Sequence, residues 1–163
     1  MAQDAAAPPR ATRGPSARPT VPEAERTVTV DQPIEGVFAF IANGRNATTW
    51  RYGVLDIERA SGDGGAGTSY RQGVRGPGGR RIDADYEITA SEPPERLAFR
   101  AIAGPVRPEG EFRLEALGGA TIVTFSLRAQ LSGWKRLLMG RAVQRTIDAE
   151  MAALDRLKDL LER

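Results

Sequence analysis

The last thirty residues, WKRLLMGRAVQRTIDAEMAALDRLKDLLER, contain no proline and are dominated by strong helix formers. As one helix they span about 45 Å at 1.5 Å per residue. Leu137, Gly140, Val143, Ile147, Met151, Leu154, Leu157 and Leu161 form a continuous apolar stripe along it. A helix this long with one greasy face needs a surface of matching length to cover it. The concave side of a curved antiparallel sheet supplies one.

The preceding sequence supplies the strands. From Glu23, ERTVTV alternates and places Val28 and Val30 on one face of a half-buried strand. Asp31 is positioned to cap a short helix begun through Pro33, with Ile34, Val37, Phe38 and Ile41 on one stripe and Asn43-Gly44 as its stop. A second short helical turn runs to Trp50. After it the chain reads as consecutive strands joined by tight turns, without the interleaved helices that a parallel sheet requires. GVLDIERA and TSYRQGV are two strands, and Pro77-Gly78 suits the centre of a type II turn. RRIDADYEITA reads as one strand, with Ile82, Ala84, Tyr86 and Ile88 inward and Arg81, Asp83, Asp85 and Glu87 toward water. Leu97 and Phe99, then Phe112 and Leu114, then Val123, Phe125 and Leu127 mark the inner sides of three more strands, with Gly118-Gly119 as a two-residue hairpin loop. The count is seven strands.

Gly62, Gly64 and Gly67 in SGDGGAGTSYRQG match G-x-G-x-x-G, the spacing of a dinucleotide-binding loop. That loop works only where the glycines follow a strand and open a helix, whose N-terminus meets the pyrophosphate. Here a strand pattern follows instead. In a chain with 18 glycines the stretch reads as a hairpin connection in which glycine supplies positive φ angles, not as a nucleotide site.

Composition narrows the chemistry. The 163 residues suffice for one domain with a real core. Cysteine and histidine are both absent, which excludes disulfides, thiolate or imidazole metal sites and the side chain best suited to proton transfer near neutral pH. No cofactor or metal is expected. Arg10, Arg13 and Arg18 against Asp4 in residues 1–22 account for the whole net charge of +2, so residues 23–163 are balanced and nucleic acid is not an expected partner. Residues 1–22, rich in alanine, proline and arginine, read as a disordered tail before a single domain over 23–163. No apolar run is long enough to cross a bilayer and no secretory signal begins the chain, so a cytoplasmic location is expected.

PIEGVFAFIAN leading to Trp50, GAGTSYR, ADYEITASEPPERLAFR, GEFRLEALGGATIVTFSL and LDRLKDLLE, in that order, resemble the polyketide cyclase/dehydrase-like branch of the START-like (Bet v 1-like, SRPBCC) superfamily over roughly residues 24–162. The resemblance implies an α+β helix-grip fold, in which a curved seven-stranded antiparallel sheet wraps the long C-terminal helix, two short helices follow strand one, and a cavity lies between sheet and helix. It also implies binding of a hydrophobic ligand such as a lipid or polyketide, with cyclisation or dehydration in a minority of members. Fold alone leaves the choice open.

Residues on the inner face line such a cavity or fill it. Trp50, Tyr70, Gln72, Tyr86, Phe99, Phe112 and Phe125, with Ile147 and Met151 from the helix, are the expected lining. Tyrosine is informative because a buried ring needs a partner for its hydroxyl, which a ligand carbonyl could provide. The carboxylates Asp83, Asp85, Glu87 and Glu111, and the cations Arg71 and Arg100, fall on the outer face. No catalytic residue is assigned, and binding without chemistry is favoured over catalysis. Three readings follow: a carrier or sensor of a small hydrophobic or aromatic molecule, a cyclase or dehydratase using Tyr70 or Tyr86, and a scaffold with a filled core. An inner carboxylate within reach of Tyr86 points to the second, and a void too small for a ligand to the third. Lys135, Arg136, Arg141 and Arg145 crowd the first half of the helix; solvated charge is the simpler reading, and peripheral contact with an anionic membrane the alternative. Leu154 to Leu161 could form a dimer seam, which leaves monomer and homodimer both open.

Overall fold

The computed structural model describes residues 23–129, 131 and 134–163, with the side chains of 134–137 left aside. The expectations for the 1–22 tail, Lys135, Arg136 and Leu137 therefore lie outside the described residues. Strand β1 (Glu23–Val30) leads into helix α1 (Ile34–Ala42), a 3-10 turn at Gly44–Asn46 and the one-turn helix α2 (Ala47–Trp50). Strands β2 (Val54–Ser61), β3 (Ser69–Arg75), β4 (Arg81–Asp83), β5 (Tyr86–Glu92), β6 (Arg96–Ala101), β7 (Pro108–Leu117) and β8 (Ala120–Ala129) follow, and helix α3 (Trp134–Leu161) closes the chain. Seven strands run in the order β1-β8-β7-β6-β5-β3-β2, and the short β4 pairs with β3 beside that path. This is the α+β helix-grip arrangement, with every pairing antiparallel.

Helix α3 rests on β1, β8 and α2. Its stripe is buried at Val143, Ile147, Met151, Leu154 and Leu157, the last two with no exposed surface. Each fully buried leucine contributes roughly 1.5–3 kcal/mol by leaving water. Leu154 and Leu157 are thus spent on their own domain's core and do not form a seam for a second copy. Arg26 of β1 bridges to Asp155 at 2.6 Å, an exposed pair. Near the helix end, Lys158 Nζ donates to the Thr29 carbonyl at 2.6 Å and to Glu162 Oε1, which also accepts the Asp31 amide N–H at 2.7 Å. Edge strand β1 is thereby covered where its backbone would otherwise be open.

Two local expectations need correction. Asp31 does not cap α1: Pro33 occupies the cap position without a side-chain hydrogen bond, and the Asp31 backbone serves the end of α3. Residues 81–92 form two strands because the Asp85 carboxylate takes the Gln72 amide N–H at 3.0 Å, while Gln72 Nε2 donates to the Ala84 carbonyl. A side chain takes the Gln72 N–H there, while the Ala84 N–H still donates to the Gln72 carbonyl at 2.8 Å and the register runs through, with Gly73 opposite Asp83 and Tyr70 opposite Tyr86. Asp85 is consequently half-buried, its carboxylate engaged by backbone instead of by an outer-face cation. The other acids are outside as read: Asp83 pairs with Arg81, Glu87 with Arg100, and Glu111 with Arg96 and Arg113.

The glycine-rich stretch connects β2 to β3, with Gly62, Gly64 and Gly67 at φ 85, 111 and 86°. Thr68, fully buried, ties it internally by accepting the Gly64 N–H at 2.8 Å. A strand, not a helix, follows the glycines. Gly78 adopts φ 68°, ψ 15°, the values that the third residue of a type II turn needs.

Leu154→Ala is expected to lower the unfolding free energy by about 2–5 kcal/mol, whereas Arg26→Ala should cost under about 1 kcal/mol, both read from urea midpoints. Lys158, and then the Asp31 amide, hold the Glu162 carboxyl below the usual carboxylate range. Its contribution is present above the unfolded value of about 4.3 and is lost as pH falls through the lower folded value. Urea melts of Glu162→Gln should therefore lose less stability than wild type between about pH 5 and about pH 3.

Candidate functional site

Cross-strand pairing brings the inner aromatics together in one curved row. Tyr70 and Tyr86 face each other across β3 and β5 with rings stacked at 5.1 Å. Tyr86 meets Phe99 edge-on at 5.6 Å. Phe112 and Phe125, directly opposite on β7 and β8, stack at 4.2 Å, and Trp50 packs its edge against Phe112 at 6.2 Å. Such offset and edge contacts add about 0.5–1.5 kcal/mol each beyond burial.

Between this row and the α1–α2 corner lies a void of about 40 Å³. Trp50, Tyr86, Phe99, Phe112 and Phe125 of the expected lining border it. Tyr70 stands behind Tyr86, Gln72 is buried beside the void rather than on it, and Ile147 and Met151 lie in the α3 core away from its walls. The volume suits a few water molecules and not a lipid. Gly44 at the corner permits the closure: a Cβ there would stand 2.5 Å from the Tyr86 hydroxyl and 2.7 Å from Tyr70 Cε1.

The void also has a charged end that parity along strands does not reveal. Arg51, directly after Trp50, borders it and donates from Nε to Glu150 Oε2 at 2.6 Å and from Nη1 to Gln72 Oε1 at 3.2 Å. The two side chains are only 17% and 13% exposed, so this is a buried ion pair inside the grip. Burial works against the Arg51 charge, but Glu150 outweighs it and holds the guanidinium above its ordinary value. The expectation of an inner face free of charge is thus corrected. Glu150 was findable: it sits three residues after Ile147 and four before Leu154, within the apolar stripe. Outside the corner, Arg156 lies over the Tyr52 ring at 3.2 Å, giving residues 51–52 a second tie to α3.

Burial raises the Tyr86 phenol well above its usual value, with Arg51 nearby opposing in part. The hydroxyl therefore stays protonated as a donor; among the described residues it makes no hydrogen bond to a side chain or carbonyl, and since no buried side-chain nitrogen or oxygen is left without a partner, it opens on the void. Glu150 is an inner carboxylate, but Arg51 engages it and no hydrogen bond links it to Tyr86. Among the described residues no cluster of three or more acids could hold a metal, and no helix is long and apolar enough to cross a membrane.

Gly44→Ala should destabilise by about 1–3 kcal/mol, as overpacking does, read by thermal melting. Adding Tyr86→Phe should recover only part, because the Tyr70 ring remains in the way.

The fold and inner face can be set beside known proteins. A protein of Thermus thermophilus superposes with a TM-score of 0.72 at 20% identity, covering 86% of this chain and 97% of that one. The Zhui aromatase/cyclase from a Streptomyces species gives 0.68 at 19% identity, over 86% and 93%. A START superfamily protein from Mycobacterium smegmatis gives 0.60 at 14%, over 83% and 98%. At these identities the likeness is one of fold. Comparison with curated proteins finds no match. The profile of one family, described as polyketide cyclase / dehydrase and lipid transport, matches residues 21–162. With nearly the whole chain matched and the grip architecture in place, this protein belongs to the polyketide cyclase/dehydrase and lipid transport family.

Proposed function

We propose that the protein binds a small hydrophobic or aromatic molecule between the sheet and α3, by displacing rings from a closed interior rather than by filling a standing cavity. The observation that carries this reading is the Arg51–Glu150 pair on an otherwise aromatic-walled void. A buried ion pair gains little stability over well-packed apolar side chains of similar volume, because the cost of removing both charges from water offsets their attraction. A core that only needed filling gains little stability from it beyond fixing where α3 lies, whereas a binding site needs a few polar groups within apolar walls. Family membership and the fold shared with an aromatase/cyclase support the same direction.

The filled-core reading has its own observation, the void of about 40 Å³. For catalysis the described residues offer none, since Glu150, the acid at the void's charged end, is held by Arg51.

The two supported readings separate with N-phenyl-1-naphthylamine, a neutral fluorescent dye. Saturable one-to-one binding with a rise in melting temperature is expected for wild type. Ala47→Leu, which fills the void from α2, should weaken it at least about tenfold, equivalent to about 1.4 kcal/mol, while circular dichroism stays unchanged. Absence of saturable binding by wild type would leave the filled core as the answer. Tyr86→Phe should cost a carrier only modest affinity.

A further inference from the structure

We infer that the molecule held in the grip carries a neutral carbonyl oxygen, received by Arg51 and Tyr86, and that Glu150 tunes the site against anions; this rests on the binding reading above. A guanidinium has five N–H donors. Arg51 uses Nε on Glu150 and Nη1 on Gln72, and the described residues supply no acceptor for Nη2. The Tyr86 hydroxyl, on a residue only 8% exposed, is a second donor without a protein acceptor among the described residues, and it opens on the void rather than being sealed. Both side chains border the same void, whose other walls are aromatic and aliphatic. Two convergent donors at the end of an apolar slot select an acceptor atom, and an oxygen is the one that a hydrophobic molecule brings most readily.

The charge of that oxygen follows from the partners of Arg51. Its positive charge is matched by Glu150 at 2.6 Å, with both groups buried. Net charge at the site is zero. A ligand carboxylate would reach the donors only by approaching the Glu150 carboxylate, an uncompensated like-charge contact in a poorly solvated place. A ketone, ester, amide or quinone oxygen meets the same donors without that cost. Gln72 completes the arrangement: its Oε1 accepts from Arg51 and its Nε2 donates to the Ala84 carbonyl, which fixes the plane of the guanidinium. Arg51 and Tyr86 are binding residues in this scheme, and Glu150 and Gln72 are positioning residues.

Three naphthalenes of nearly one shape test it by titration calorimetry: 2-acetylnaphthalene, its hydrocarbon isostere 2-isopropenylnaphthalene, and 2-naphthoate. Wild type should bind the ketone at least about tenfold tighter than the hydrocarbon, the scale of a hydrogen bond to a charged donor, and the carboxylate more weakly than the ketone. Arg51→Met combined with Glu150→Gln, which orphans no charge, should bring the ketone down to the hydrocarbon and leave the hydrocarbon unchanged. Glu150→Gln alone should raise naphthoate affinity at least about tenfold, which a purely structural role for Glu150 would not do. Equal binding of ketone and hydrocarbon by wild type overturns the carbonyl anchor while the binding reading stands, with water the occupant of the two donors. Naphthoate binding as tightly as the ketone overturns the neutrality of the site. Binding of none of the three defeats the binding reading and this inference with it. The wild-type series alone decides the carbonyl preference should either variant fail to fold.

Discussion

The structure depends on covering one face of α3. A 28-residue helix whose stripe runs from Val143 to Leu157 cannot keep that face in water, and the concave side of the sheet is the surface long enough to receive it. The aromatic row on β3, β5, β6, β7 and β8 faces the interior that the helix helps close. Polar ties between α3 and the rest of the chain concentrate on β1 and on the corner after α2, where they set where the helix lies rather than how tightly it is held.

Within that frame the interior is uneven in character. Along the aromatic row it is ring against ring, packed closely enough that Gly44 must lack a side chain. At one point the packing gives way to a cation, a carboxylate, an amide and a phenol within a few side chains of one another. Dense apolar packing explains stability without explaining that cluster, and the cluster gives the site its chemical direction. The absence of histidine and cysteine from the sequence leaves arginine, glutamate and tyrosine as the interior's polar vocabulary.

Much of this was readable from the chain. Alternation placed Phe112, Phe125 and Tyr86 on the inner face, because a strand's side-chain period of two needs no knowledge of its neighbours. The α3 stripe and the Gly118–Gly119 hairpin loop followed from equally local rules. What escaped depends on distant partners. Arg51 and Glu150 are 99 positions apart, and each alone looks like an ordinary surface charge. Asp85 obeys the outward parity of its neighbours but turns to take the Gln72 amide, a choice set by the local path of β3. The size of the void was illegible for a further reason: volume is a remainder left after every ring has been placed, so small shifts in packing decide it.

The position of β1 has a consequence for how the chain is made. This first strand pairs with the last, and 97 residues separate Thr27 from the facing Thr124. During synthesis β1 therefore leaves the ribosome long before its partner exists, with its apolar side chains unclaimed. The meander from β5 to β8 can assemble by neighbour-to-neighbour pairing, and the addition of β1 at its edge and of α3 must come at the end. Nascent chains stalled before β8 emerges are the ones that carry an unpaired, sticky segment into a crowded translation mixture.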